Sequence, residues 1–325
     1  MITREYNEAD EPAVLELLQT VFGSWPRGIE GSPAEFFRWK HLHGPHGCSA
    51  LFVAECEGVL AGFVAYMPWR LRVDGERVSA LRGVDLAVHP QFRRRGVSQA
   101  LRVAADSLLQ GAFIWASPND PAHRGGVKHG RRSGGRIPPF ARFCGRISQS
   151  ARRTWRGDPD GTASLPVRAP EARETLADDE YVSRLFASVP HPAGRLSTDR
   201  DVSYLRWRYA HFPEYRAVVA GAEGGAGGIA IFRPRRYGRF WVLDVSELLA
   251  EGAKTSVQRQ LLAQLSKAAA ADFLVCNFRS RRQAALHGFL QASRGVSLYT
   301  RIPDGGRVVV DPTGSGAWAL SRGDL

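Results

Sequence analysis

The sequence lacks the long apolar run and the cysteine spacing that mark several protein classes. Its 325 residues contain no stretch of about 18 uncharged apolar residues, and the start, MITREYNEAD, has no apolar core of a signal sequence. The cysteines form no Cys-x-x-Cys pair and no His cluster at metal-ligand spacing; they are Cys48, Cys56, Cys144 and Cys276. We therefore expect a cytoplasmic protein with buried thiols, no membrane span, no disulfide framework and no metal.

Lysine is also scarce, because arginine makes up all but four of the 44 basic residues. The net charge of +12 and the pI near 10.1 favour anionic partners, among them an acidic small molecule or RNA. The aromatic residues are not interleaved with the basic ones as a base-stacking surface requires, so nucleic acid is not the favoured partner. The apolar fraction of 44% and the length are typical of a globular chain of about two domains.

An internal repeat divides the chain. The segment FRWKHLHGP, residues 37–45, returns as LRWRYAHFP at 205–213 with Arg, Trp, His and Pro in register. A repeat at this separation indicates two copies of one fold. A polar, Pro/Gly-rich stretch over 148–172 has the composition of a linker, which places the domains at 1–147 and 173–325.

The stretch VDLAVHPQFRRRGVSQAL predicts a strand, a basic loop and a helix. Apolar residues alternate over 84–88, Pro90 ends the strand, and helical spacing begins at Val97. The loop 93–98 then leads into a helix N-terminus, whose free N–H groups and positive dipole suit an anion, most naturally a phosphate. The alternative is a solvated basic turn without a ligand.

The order of these elements resembles the acyl-CoA site of the GNAT superfamily of N-acetyltransferases. The resemblance rests on Arg93-x-x-Gly96-x-Ser98, an amphipathic helix, a second apolar strand AFIWA and then Asn119. Ser98 departs from the Gly or Ala of the family. The resemblance implies an α/β fold of the α+β kind, with two GNAT-like domains that each hold a mixed, mostly antiparallel sheet flanked by helices.

The resemblance also implies the cofactor and its site. Acetyl-CoA, or another acyl-CoA, is the expected co-substrate, and the strand over 112–116 is expected to splay from its neighbour and leave a cleft. The strand backbone would hold the pantetheine and thioester through Leu86, Ala87 and Val88. The loop would hold the pyrophosphate through Arg93, Arg94, Arg95, Gly96, Val97 and Ser98. Asn119 would contact the pantetheine arm.

Two residues are candidates for proton transfer. Asp85 stands among apolar strand residues, where a carboxylate is either paired or used, so it is a general base or a structural group. Asp244 is expected to occupy the matching place of the second copy, which is equally consistent with a structural role. The general-acid Tyr of the family is absent, with Gly126 in its position, which leaves His123 or water as the acid.

The acceptor would meet a basic segment beyond Asn119. Arg131, Arg132 and Arg136 could bind an anionic group on the acceptor, or they could form a solvated surface.

The second copy lacks the Arg-x-x-Gly loop and carries Glu247 and Glu251 in the region that would meet pyrophosphate. We therefore expect the first copy to bind the donor and the second to be structural or acceptor-binding, as in tandem GNAT proteins with one degenerate copy.

The functional prediction is an acyl-CoA-dependent N-acyltransferase that acts on a small amine. One alternative is an aminoacyl-tRNA-dependent transferase of the Fem type, and another is a non-catalytic acetyl-CoA-binding regulatory module. The sequence leaves open the acceptor, the acyl length, the general acid, the oligomeric state and the pathway.

Overall fold

The computed structural model describes residues 1–26, 28–144, 165–221, 227–238, 240–293, 295–303 and 310–325. These residues form two compact units. The first unit comprises 1–136, 194–196 and 296–318, and the second comprises 137–193, 197–295 and 319–325. Each unit therefore draws segments from both halves of the sequence. Most of the expected linker, 148–172, lies outside the described residues, so the predicted domain boundaries stay predictions.

The first unit is a mixed sheet with helices packed on it. Its elements are β1 (Ile2–Glu5), α1 (Glu11–Phe22), α2 (Pro33–His41), β2 (Ala50–Cys56), β3 (Val59–Val73), β4 (Glu76–Val88), α3 (Val97–Leu108), β5 (Phe113–Ala116), α4 (Asp120–Lys128), β6 (Arg132–Ile137) and β14 (Val296–Arg301). The sheet order is β1-β2-β3-β4-β5-β14-β6. β4 and β5 are parallel, whereas β1 to β4 run antiparallel to their neighbours in sequence.

The second unit repeats this plan. Its elements are β7 (Phe140–Phe143), α5 (Ala172–Thr175), α6 (Asp179–Ser188), β8 (Ser197–Thr198), α7 (Val202–Tyr209), β9 (Arg216–Ala220), β10 (Gly228–Tyr237), β11 (Phe240–Ala250), α8 (Thr255–Ala268), β12 (Phe273–Cys276), α9 (Arg281–Leu286) and β13 (Leu290–Gln291). The sheet order is β13-β7-β12-β11-β10-β9, and β11 and β12 are parallel.

One glycine in each unit shows that the two copies match in three dimensions. A Cβ on Gly62 would lie 2.6 Å from Val97 of α3, and a Cβ on Gly228 would lie 2.8 Å from Val257 of α8. Gly62 pairs with Val88, and Gly228 pairs with Ala250. In both copies a missing side chain lets the helix lie close against the sheet. The fold class and the repeat are thus confirmed.

Two local expectations change. The segment directly after Asn119, for which the sequence indicated no helix, is helix α4, and Asn119 caps it by accepting a hydrogen bond from the Ala122 N–H at 3.0 Å. Of the cysteines, Cys276 is buried, but Cys48 is exposed, so the expectation of buried thiols is wrong for Cys48. All four are free thiols.

Candidate functional site

The basic loop ends in a left-handed turn that opens helix α3. Pro90–Phe92 forms a short 3-10 turn after β4, and Arg94 (φ 64°) and Gly96 (φ 80°) both take positive φ. The N–H groups of Gly96, Val97 and Ser98 donate to no other residue in the part of the chain that the structure describes. Successive N–H groups in such a turn form a concave anion site at the positive end of a helix.

Three exposed arginine side chains surround this turn. The Arg93 Nε donates to the Val88 carbonyl at 3.4 Å, and Arg95 lies over the Phe92 ring at 5.4 Å. Arg94 and Gly96 are exposed. The predicted loop is therefore open to a solvent-borne anion, with backbone donors and guanidinium groups on the same short segment.

The strands β4 and β5 form a fork. Their parallel pairing covers Ala80 to Gly83 on β4 and ends at the row that joins Gly83 to Ala116. β4 continues to Val88 and pairs there with β3, but among the described residues no strand pairs with its other edge beyond Gly83. The expected splay is present, and Leu86, Ala87 and Val88 lie on the open arm, which leads to the basic loop.

Asp85 lies on this arm in a bulge of β4. Its φ is 52°, and the register of β3 and β4 shifts between Phe63 and Ala65. The Lys40 Nζ donates to its Oδ2 at 2.6 Å, and the His41 Nε2 donates to the same oxygen at 3.0 Å. Both donors come from the end of α2.

The charges around Asp85 keep it ionised. Burial alone would raise its pKa, but Lys40 and His41 together lower that pKa well below the usual range. Burial lowers the pKa of His41, which favours the neutral imidazole, and its Nδ1 accepts a hydrogen bond from the Ser49 hydroxyl at 3.1 Å. A carboxylate held this strongly in its charged form is a weak base, which favours the structural role that the sequence left open.

The counterpart of Asp85 in the second unit is Glu247, not Asp244. The equivalent glycines, Gly62 and Gly228, pair with Val88 and Ala250 respectively. Asp85 stands three positions before Val88, and Glu247 stands three positions before Ala250. The Tyr209 hydroxyl donates to Glu247 at 2.7 Å, just as His41 donates to Asp85. The expected match with Asp244 is therefore wrong, because the sequence does not show the register of the two strand pairs.

Glu247 also lies away from the pyrophosphate position in which it was expected. It is buried within β11 and is bound by the Arg200 guanidinium at 3.0 Å. Glu251 is at the end of the strand, where it pairs with Lys254 at 2.9 Å and accepts from the Gly227 N–H at 3.2 Å. The connection from strand to helix, Ala250 to Val257, is two positions shorter than Val88 to Val97.

Two tyrosines flank the end of the paired part of the fork. The row Tyr66, Gly83, Ala116 and Tyr299 runs across β3, β4, β5 and β14 in direct register. Both tyrosines are buried, and neither hydroxyl has a hydrogen-bond partner among the residues described. Burial raises the pKa of Tyr66 to about 12.

Tyr299 takes the space beside Gly126. A Cβ on Gly126 would lie 2.9 Å from the Tyr299 ring, so a side chain at position 126 and this ring exclude each other. Gly126 stands where the resemblance places the family's general-acid Tyr, and the ring of Tyr299 from β14 occupies the space beside it. No sequence signal near Gly126 could have identified it, because the two residues are far apart in the chain.

His123 lies on α4 and is half-buried. Its Nε2 is 3.1 Å from the Leu298 carbonyl and donates to it. Its ring lies 6.5 Å from the Tyr299 ring. The role of His123 as general acid stays a prediction, and this bond ties its Nε2 proton to the backbone of β14. Asn119, expected at the pantetheine arm, uses its side-chain oxygen to cap α4.

The three arginines expected to bind the acceptor have different surroundings. Arg131 is buried and pairs with Asp106 of α3 at 2.7 Å, so it ties α3 to the sheet and is closed to a ligand, which corrects that part of the prediction. Arg136 is exposed and pairs with Asp120 at 2.7 Å. Arg132 is exposed. Acceptor binding by Arg132 and Arg136 stays a prediction.

The described residues lack two features, a metal-binding cluster and a membrane-spanning helix. In that part of the chain no cluster of three His, Cys, Asp or Glu side chains could hold a metal ion. None of its helices combines the length and apolar character needed to cross a membrane.

Comparison with known proteins gives a family for the first part of the chain. Residues 3–108 match the family described as "Acetyltransferase (GNAT) domain". A mycothiol acetyltransferase from Salinispora arenicola is 34% identical over 83 residues, a match that spans 25% of this chain and 25% of that protein.

Solved structures match the fold over nearly the whole chain. A GCN5-related N-acetyltransferase from Anabaena variabilis has a TM-score of 0.62 at 14% identity, over 93% of this chain and 72% of that one. Eis1 from Mycobacterium abscessus has a TM-score of 0.57 at 16% identity, over 93% and 74%. At these identities the likeness concerns the fold. Residues 3–108 of this chain are therefore similar to a GNAT acetyltransferase domain, and the chain as a whole has the fold of these solved N-acetyltransferase structures.

Proposed function

We propose that the protein is an acyl-CoA-dependent N-acyltransferase that transfers an acyl group, by default acetyl, to the amine of a small molecule. The fork between β4 and β5 carries this proposal, because its open arm leads directly to the basic turn at the start of α3. A donor that has an extended arm and a pyrophosphate fits such a cleft. The GNAT match over 3–108 covers the open arm of β4 and the basic turn, and it ends before β5.

The chain's own groups divide the work of binding. The N–H groups of Gly96, Val97 and Ser98 bind the pyrophosphate, and Arg93, Arg94 and Arg95 add charge-assisted bonds. The backbone of Leu86 to Val88 holds the pantetheine of the donor and orients its thioester. The acceptor amine gives a proton to solvent water and attacks the thioester carbonyl, which forms the carbon–nitrogen bond. The bond from carbon to sulfur then breaks, and the CoA thiolate leaves and takes up a proton.

We assign Tyr299 as the proton donor to the departing thiolate. Its hydroxyl belongs to a buried ring at the fork and lacks a partner among the described residues, so it is free to bind the sulfur. Tyr66 belongs to the same row on the other side of the fork, but only Tyr299 lies against Gly126, the position of the family's general-acid Tyr. Asp85 acts by fixing the bulge that orients the open arm, and His123 stays the alternative donor.

The test of the donor site is a change of charge in the turn. Arg94→Glu and Gly96→Asp each place negative charge where the pyrophosphate meets the N–H groups, and Asp at position 96 must also adopt φ 80°. We expect both variants to fold and to lose thermal stabilisation by acetyl-CoA. Arg70→Glu is the matched control, because Arg70 is exposed at the far end of the β3 and β4 hairpin.

Stabilisation by acetyl-CoA that is equal in parent, Arg94→Glu and Gly96→Asp would overturn the donor site. Binding without turnover of any amine would favour the regulatory alternative. The open fork and turn argue against the Fem-type alternative, since an aminoacyl-tRNA donor has no pyrophosphate to bind there. Binding of RNA by the protein that is lost on ribonuclease treatment would favour the Fem-type alternative instead.

A further inference from the structure

The second unit contains the same fork. The parallel pairing of β11 and β12 covers Val242 to Asp244 and ends at the row that joins Asp244 to Val275. β11 then continues to Ala250 and pairs with β10. Its arm beyond Asp244 corresponds to the arm of β4 on which we propose that the donor lies.

A segment of the chain itself occupies this fork. The Gly323 N–H donates to the Ser246 carbonyl of β11 at 3.1 Å. The Asn277 side chain, directly after β12, donates to the Leu320 carbonyl at 3.3 Å. The segment Leu320–Leu325 is thus hydrogen-bonded to both arms.

Charged side chains fasten the same segment. The Arg322 guanidinium binds Asp244, the last paired residue of β11, through Nη2 and Oδ2 at 3.1 Å. The Asp324 carboxylate is wholly buried and accepts from the Arg200 Nη2 at 2.5 Å and from the Thr198 hydroxyl at 2.8 Å. A buried carboxylate that is paired with a guanidinium and hydrogen-bonded in this way indicates a specific binding site and not an incidental surface contact.

The fit around the segment leaves little room. A Cβ on Gly323 would lie 1.8 Å from the Tyr209 hydroxyl and 3.1 Å from a Glu247 oxygen. The Arg208 Nη2 donates to the Gly323 carbonyl at 3.0 Å. Residues of α7 and β11 therefore shape the fork to a glycine at this position.

We propose that Leu320–Leu325 is an internal peptide ligand of the second unit. It fills the cleft in which the first unit would hold the amide-containing arm of the donor, so only the first unit is open to acyl-CoA. The peptide site stands on the contacts above, and only the comparison with the donor rests on the proposed function. This occupancy replaces the charge repulsion by Glu247 and Glu251 that the sequence suggested.

Hydrogen exchange on the full chain tests the peptide site. We expect the Gly323 amide of the parent to be protected, and Arg322→Ala to speed its exchange by about 10-fold or more, the effect of a lost interaction of roughly 1.4 kcal/mol. The variant should still fold, because Arg235 stays 3.4 Å from Asp244. Arg184→Ala, which removes a surface pair with Glu180, is the matched control.

Exchange of residues 320–325 in the parent at the rate of an unstructured peptide would overturn the internal ligand. Calorimetric titration with acetyl-CoA supplies the second readout, with an expected stoichiometry of one per chain. A stoichiometry of two would also overturn it, because the second fork would then admit the donor. Absence of any binding, with Gly323 protected, would count against the proposed function and leave the peptide site in place.

Discussion

At the scale of single residues, an acid in or beside a strand bulge joins helix to sheet in both copies. His41 and Tyr209 stand at the same place in the repeated FRWKH and LRWRY motifs, and they donate to Asp85 and Glu247 respectively. The hydrogen-bond donor and the acidic residue both differ between the copies. The hydrogen bond is nevertheless present in the second unit, whose fork is filled. A contact that persists in both units is best explained by its role in the fold.

Asp85→Asn tests this role through its dependence on pH. The substitution removes the carboxylate that neutralises Lys40, so we expect a loss of about 3 kcal/mol in the free energy of unfolding at pH 7. The pKa of Asp85 is lowered in the folded state, so its stabilisation is complete above the unfolded pKa of about 3.9 and is lost progressively as the pH falls from there through the folded pKa. The difference between parent and variant should therefore shrink below about pH 4.

Chemical denaturation at pH 7 and pH 3 measures this difference, with Glu180→Gln, an exposed partner of Arg184, as control. A variant as stable as the parent that loses ~10²-fold in kcat would instead make Asp85 the general base.

Tyr299→Phe tests the proton donor. The change keeps the ring beside Gly126 and removes only the hydroxyl, so we expect kcat to fall by ~10²-fold while the KM for acetyl-CoA changes little.

Tyr66→Phe is the matched control, since Tyr66 belongs to the same row, and it should retain most of the parent's kcat. If Tyr299→Phe keeps the parent's kcat, the proton donor is His123 or water.

At the scale of elements, the position of α3 depends on the glycine beneath it. The helix buries Val97, Leu101 and Ala105, and its first residue, Val97, meets Gly62. The same helix begins at the basic turn. The packing of one helix face therefore sets where the N–H groups of the turn point.

Gly62→Ala should disturb both functions of α3. The added methyl would lie 2.6 Å from Val97 and 2.9 Å from Leu101, and overpacking of this kind costs about 1–3 kcal/mol. We expect a lower Tm and a weaker affinity for acetyl-CoA, measured by thermal unfolding and calorimetry. Gly228→Ala, the matched change beneath α8, should lower the Tm and leave the affinity unchanged. Equal affinities in the two variants would show that the turn tolerates a shift of α3.

At the scale of the whole molecule, two copies of one fold have different forks. In the first unit the arm of β4 beyond Gly83 is open on one edge, as far as the described residues extend, and it leads to an arginine turn. In the second unit the corresponding arm binds Leu320–Leu325. The net charge of +12 suits an anionic donor but does not distinguish the units, because arginine is abundant in both.

The features that could be predicted from the sequence alone are those that depend on residues close to one another in the chain. The strand that ends at Val88, the turn at Gly96, the helix from Val97 and the repeat all follow from local spacing, and the structure confirms them. Local spacing is enough there, because apolar periodicity and glycine conformation act over a few residues.

Contacts between residues far apart in the chain became visible only in the folded structure. They are the hydrogen bonds of Lys40 and His41 to Asp85, the ion pair of Arg131 with Asp106, the approach of Tyr299 to Gly126, and the binding of Leu320–Leu325 in the second fork. Each of these depends on strand register or on a segment far away in the chain. A shift of one residue in a strand turns a side chain to the other face of the sheet, so local pattern cannot fix such contacts.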